Sequence, residues 1–198
     1  MKTNKTSNNQ SHSIAQTASA LRSLYFIRTA VSIVWVTLVS VYAKTSPQIA
    51  AVLLVIYPAW DVVGTLLDIR ANRGSGNSLR PQFANAVISI ATTFAVGFAL
   101  TISVPAAIIV FGVWAGLTGI IQLILGLRRR RVLGGQWPMI LSGGQSLIAG
   151  IAFIILAHDP TRGIASLAGY SAFGAFYYLL AAIRLTKTAS GNHQTTLD

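Results

Sequence analysis

Asp61 is the residue most suited to chemistry, because it is a carboxylate in the middle of an apolar stretch of a chain that has only 4 acidic residues in 198. An ionised Asp at the centre of a membrane helix costs about 2.5 to 3.5 kcal/mol to insert, so it must face the protein interior and find a partner or a proton. Arg28 is that partner by depth. Folding the chain about Lys44 and Thr45 leaves Arg28 and Asp61 each about 16 to 17 residues from the turn, and it sets Arg22 level with Asp68. The spacing predicts an intramembrane charge pair, Arg28 with Asp61, between the first two helices. Such a pair either fastens two helices or handles protons. In the third reading no pair forms, and Arg28 snorkels to the interface.

The remaining polar residues offer less. His158 and Asp159 could start a metal or general-base site, but more ligands would have to converge, and His12 and His193 lie in the tails. They read as a polar turn before Pro160. Ser142, Gln145, Ser146, Asn85 and Gln122 read as interhelical hydrogen-bonders, and the absence of a His level with Ser146 argues against an intramembrane serine protease. With no cysteine, thiol catalysis and thiolate metal sites are excluded. The sequence therefore predicts no catalytic residue, no metal and no cofactor, and a protein that is not an enzyme.

The elements that must position Arg28 and Asp61 are membrane spans. Pro81 to Leu127 contains no Asp, Glu, Lys, Arg or His, is closed by Arg80 and by Arg128, Arg129, Arg130 and Arg131, and is broken by Ser103, Val104 and Pro105. At 1.5 Å per residue the run spans roughly twice a 30 Å hydrocarbon core, which makes it a transmembrane hairpin. Pro47, Pro105 and Pro160 each sit between two apolar spans, and an Arg follows each second span at Arg70, Arg128 and Arg184. The expected fold is all-α and integral to the membrane, with six transmembrane helices as three tandem hairpins, spans at about 24 to 43, 48 to 68, 82 to 103, 106 to 127, 137 to 157 and 163 to 185. Residues 1–20, polar and poor in apolar side chains, read as a disordered cytoplasmic tail. Residues 21–186 form the membrane domain, with hairpins at about 21–70, 80–128 and 136–184, and 187–198 form a second cytoplasmic tail.

A net charge of +11 would point to nucleic acid in a soluble chain, but with 53% hydrophobic residues and mean hydropathy of +0.62 the basic residues follow membrane topology. Of the 15 Lys and Arg, only Lys44 and Arg162 fall in connections on the far side. The positive-inside rule then places both termini in the cytoplasm and excludes nucleic acid as the partner. The expected partners are the lipid bilayer and anionic headgroups at Arg128, Arg129, Arg130 and Arg131; homo-oligomerisation stays open. The loops are read at Asn72, Gly74, Ser75, Gly76 and Asn77, and at Gly134 with Gly135.

Aligning the second helix of each hairpin on its terminal Arg reveals a stripe with four-three spacing. In hairpin two it is Gly112, Gly116, Gly119, Leu123 and Gly126, and in hairpin three Ala168, Ala172, Ala175, Leu179 and Ala182. Small residues let membrane helices approach closely, so both stripes are expected to face protein. In hairpin one the stripe is Leu54, Pro58, Asp61, Thr65 and Asp68, with two carboxylates on the packing face.

Trp137, Leu141, Gly144 and Gly150 before Pro160, preceded by Gly112, Gly119 and the Arg cluster, resemble the HdeD-type acid-resistance membrane proteins. The similarity covers roughly Arg80 to Arg184 and the first hairpin poorly, where Arg28 and Asp61 interrupt the spans. It implies six transmembrane helices in a bacterial cytoplasmic membrane and a link to acid or other stress. Its motifs specify packing and carry no catalytic residue. The alternative function is a small transporter, channel or proton path centred on Asp61 and Arg28. Against it, same-sense hairpins are not the inverted repeats common in secondary transporters.

Overall fold

A computed structural model describes residues 2–73, 78–159 and 163–190, with side chains described from Ser13 onward except at Lys187. All of its secondary structure is helical, in six elements: α1 (Lys2–Tyr42), α2 (Pro47–Asn72), α3 (Arg80–Ile102), α4 (Val104–Leu133), α5 (Trp137–Ile155) and α6 (Ala165–Ala189). Each contains a segment long and apolar enough to cross a bilayer, which makes this a multi-pass membrane protein.

The helix limits follow local chemistry. Pro47, Pro81, Pro105 and Pro138 sit in the first turns of α2, α3, α4 and α5, where a missing N–H costs nothing. The Ser103 hydroxyl accepts from the Ala106 amide at 3.1 Å and caps α4. Gly134 and Gly135, at φ +62° and +59°, make the left-handed turn that releases α5, a conformation other residues adopt only at a cost. Asn72 ends α2 as a helical residue, and Gly74, Ser75, Gly76 and Asn77 lie outside the described residues, as do Pro160 and Arg162.

Consecutive helices pack antiparallel and α6 returns to α1, so the six close into a ring with α1 also touching α4 across it. The most extensive seams are α4 with α5 and α1 with α6, between hairpins rather than within them. Hairpins are thus the unit of connectivity but not of packing. On α4, Gly112 and Gly119 lie against the backbone of α5: a Cβ on Gly112 would stand 2.8 Å from the Gly150 carbonyl oxygen, and one on Gly119 would stand 2.8 Å from that of Gly143. Gly116 is looser, its nearest neighbour being Leu147.

The α6 stripe needs correction. Ala168 and Ala175 are buried but Ala172 is exposed, and Ser171 is fully buried in its place. The packed face runs through Ile164, Ala168, Ser171, Ala175, Tyr178, Ala182 and Leu185, one residue out of phase at Ala172. A four-three pattern begun one step earlier selects that face, and Ser171 and Tyr178 disguise it by being polar.

The ends of the chain need a second correction. Residues 2–20, expected as a disordered tail, continue α1 as helix, with Ala18 and Leu21 fully buried. A helix propagated from a membrane span needs no new nucleus, and Ala18, Leu21, Leu24 and Tyr25 supply an apolar edge to pack with Leu133, Met139, Ala181, Ala182 and Leu185. The last helix likewise runs past 186, to Ala189.

Candidate functional site

The inward face of the ring holds two layers. At the end opposite the termini, Trp35, Val39, Leu53, Leu54, Val96, Ala107, Phe111, Trp114, Ile164 and Leu167 form an apolar plug. Its aromatic part is tight, with ring centres 4.4 Å apart for Trp35 and Tyr57 and 5.0 Å for Phe111 and Trp114. Below the plug lies a cavity of about 100 Å³, bordered by residues from all six helices, with ionised and polar side chains set among apolar ones.

Arg28 and Asp61 meet at the cavity wall. Arg28 Nη1 donates to Asp61 Oδ1 at 2.7 Å and to the Tyr178 hydroxyl at 3.0 Å, with the side chains of Arg28 and Asp61 11% and 14% exposed. The guanidinium also stands 5.3 Å from the centre of the Tyr178 ring. The other carboxylate oxygen, Oδ2, accepts from Asn85 Nδ2 at 2.7 Å and the Ser89 hydroxyl at 2.8 Å; Asn85 also donates to Thr65, and Trp114 Nε1 donates to Ser89 at 2.9 Å. One carboxylate therefore ties α1, α2, α3, α4 and α6 together, which is how its insertion cost is offset. Gly64 makes the pair fit. A Cβ there would stand 2.7 Å from Arg28 Cζ, so the guanidinium lies flat on bare helix backbone one turn beyond Asp61.

The second carboxylate, Asp68, is level with Arg22 on α1, but its ion-pair partner is Arg129 on α4. Arg129 also donates to the Tyr25 hydroxyl at 3.3 Å, Asn72 donates to Asp68 Oδ1 at 3.1 Å, and the Gln82 amide lies against both charged partners. Of the four consecutive arginines, Arg128, Arg130 and Arg131 are exposed, while Arg129 turns inward. The reason is helical geometry: α4 continues through the arginine run, and Trp114, Thr118, Gln122 and Arg129 share its inner face.

Asn85, Gln122, Ser142 and Ser146 all reach the cavity, Ser146 pairing with the Tyr170 hydroxyl at 3.0 Å. Gln145 does not border it. His158 is exposed at the far end of the bundle, and among the described residues no three His, Cys, Asp or Glu side chains gather to hold a metal. Sequence reasoning missed Arg129, Ser89, Tyr178, Gly64 and Gln136 as site residues. A signal existed for two of them: Gln82, Asn85, Ser89 and Thr92 form a three-four polar stripe on α3, and Thr118, Gln122 and Arg129 fall on one face of α4.

Fold and site together define a six-helix membrane protein with a charge-paired polar core. No family model, curated protein or solved structure matches the chain.

Proposed function

We infer that this chain is a non-enzymatic protein of a bacterial cytoplasmic membrane, with both termini cytoplasmic, whose central cavity binds and passes a small solute or a proton. The observation that carries this reading is the cavity itself, with both its ion pairs inside the ring. A fastener between two helices needs one pair and no space. Here the pairs flank room for several waters, given that one water needs about 10–15 Å³ of such volume. Charged side chains that face a hydrated space between membrane helices characteristically mark substrate and ion paths. The apolar plug on one side and the Arg129–Asp68 pair on the other fit a closed state in which neither face has free access.

Flux in proteoliposomes tests the reading, wild type against Asp61→Asn. The substitution keeps the shape but removes the counter-charge of Arg28, so transport should fall at least tenfold. Equal flux in both proteins would leave the pair a fastener.

Orientation has its own test. The chain has no cysteine, so single cysteines at the exposed Arg131 and Lys44 report unambiguously. An impermeant thiol reagent applied to intact cells should label Lys44→Cys and spare Arg131→Cys; the reverse result would invert the topology. In the proposed orientation Arg128, Arg130 and Arg131 meet the anionic inner leaflet, each contributing about 1 kcal/mol to its attraction. The resemblance to HdeD-type proteins supports the same membrane and adds a stress-related role as the setting in which a closed path would open.

A further inference from the structure

Gln136 is 1% exposed and borders the cavity, yet neither its Oε1 nor its Nε2 has a hydrogen-bond partner. It stands at the N-cap position of α5 but its side chain does not cap the helix. A buried amide left unpaired on both atoms is costly, and native structures keep one only where something else completes it. The Met139 backbone carbonyl, one turn along α5, accepts from Gln122 Nε2 at 3.5 Å, and the Ser142 hydroxyl follows within two turns, so polar groups continue from Gln136 into the cavity.

The cavity also states what charge it accepts. Its ionised lining is Arg28 and Arg129 against Asp61 and Asp68, each carboxylate in contact with a guanidinium. A net-charged ligand would enter a confined space with no counter-charge waiting, and it would have to break a pair to find one. A neutral ligand pays neither penalty. The walls add the flat faces and polar tips of Tyr25, Tyr57, Tyr170, Tyr178, Trp60 and Trp114.

Resting on the reading of the cavity as the working site, the geometry points to a subsite at Gln136 for a small, net-neutral solute that carries a donor beside an acceptor, of the amide or urea class. A carboxamide offers an N–H and a C=O side by side, and another amide or a urea completes both at once in a paired ring of two hydrogen bonds.

Stopped-flow light scattering on proteoliposomes of the full chain tests this with urea and acetamide as the probes. Proton flux is read in parallel with a pH dye while valinomycin relieves the potential, and potassium flux with the same dye and a protonophore in place of valinomycin. Urea or acetamide should cross at least tenfold faster than in protein-free vesicles. Gln136→Met, which keeps the length and loses the amide, should cut that rate at least threefold, and Gln136→Asn should restore part of it. Proton or ion flux without amide flux overturns the subsite but leaves the cavity as a path. Water permeation alone does the same, showing that Gln136 meets only water. Amide flux unchanged in a folded Gln136→Met protein also overturns it, and absence of every flux removes both proposals. Should Gln136→Met fail to assemble, the selectivity of the wild type decides the matter alone.

Discussion

Arg28→Ala is expected to cost about 3 to 5 kcal/mol of stability, the range for removing one partner of a buried ion pair, with the lower end favoured because the cavity admits water. Asp61 would keep Asn85 and Ser89 on Oδ2, but Oδ1 would lose its donor in a site where the carboxylate is 14% exposed. Tyr178 would lose both its hydrogen bond and the stacked cation, loosening α6 against α1. Arg28→Leu together with Asp61→Leu should be milder than Arg28→Ala, because no uncompensated charge remains. Thermal unfolding in detergent, followed by circular dichroism, measures the series. Gly64→Ala should reproduce part of the loss, since its Cβ would displace the guanidinium. A double variant as damaging as Arg28→Ala would show that packing, not charge, dominates at this position. A double variant that folds but loses flux would assign the pair a working role, and one that keeps both would make it a fastener.

The spans were legible because each apolar run is closed by charge or by Pro, and a bilayer punishes any other reading. Arg28 and Asp61 were legible for a related reason: hairpin folding converts distance from the turn into depth, and depth is what a buried charge must match. Asp68 shows where this logic stops. Its partner, Arg129, lies 61 positions along the chain and in another hairpin. Depth alone left Arg22 an equal candidate, and only the ring closure decides between helices that are neighbours in sequence and helices that are neighbours in space. Ala172 marks a second limit. One helical face differs from the next by a single residue, and a stripe chosen by smallness passes over Ser171, which packs inward although polar. Gln136 marks a third. A glutamine between Gly135 and Trp137 looks like solvated loop, yet it is buried, directly after the turn that the positive φ angles of Gly134 and Gly135 make.

Gly143→Ala is expected to destabilise the protein by about 1 to 3 kcal/mol, the usual cost of overpacking, while Gly144→Ala one residue along should be neutral or stabilising by up to about 1 kcal/mol through helix propensity. The contrast follows from the α4–α5 seam. A Cβ at Gly143 would stand 2.6 Å from the Leu123 amide nitrogen and 2.7 Å from the Gly119 carbonyl oxygen, whereas a Cβ at Gly144 meets nothing within 4 Å. The obstructing atoms are helix backbone and cannot rotate away. The two helices would have to part by about 0.8 Å to regain ordinary contact, and Gly112 against Gly150 would open with them. In lipid no hydrophobic gain offsets that separation, because acyl chains replace the lost contacts only partly. Unfolding midpoints of the two variants in one detergent make the comparison, and equal midpoints would mean that α4 and α5 do not approach this closely. The seam also bears on the site. Ser142 precedes Gly143 and Ser146 follows one turn later, both on the cavity wall, so a Gly143→Ala protein that still folds should show altered flux with every cavity-facing polar side chain intact.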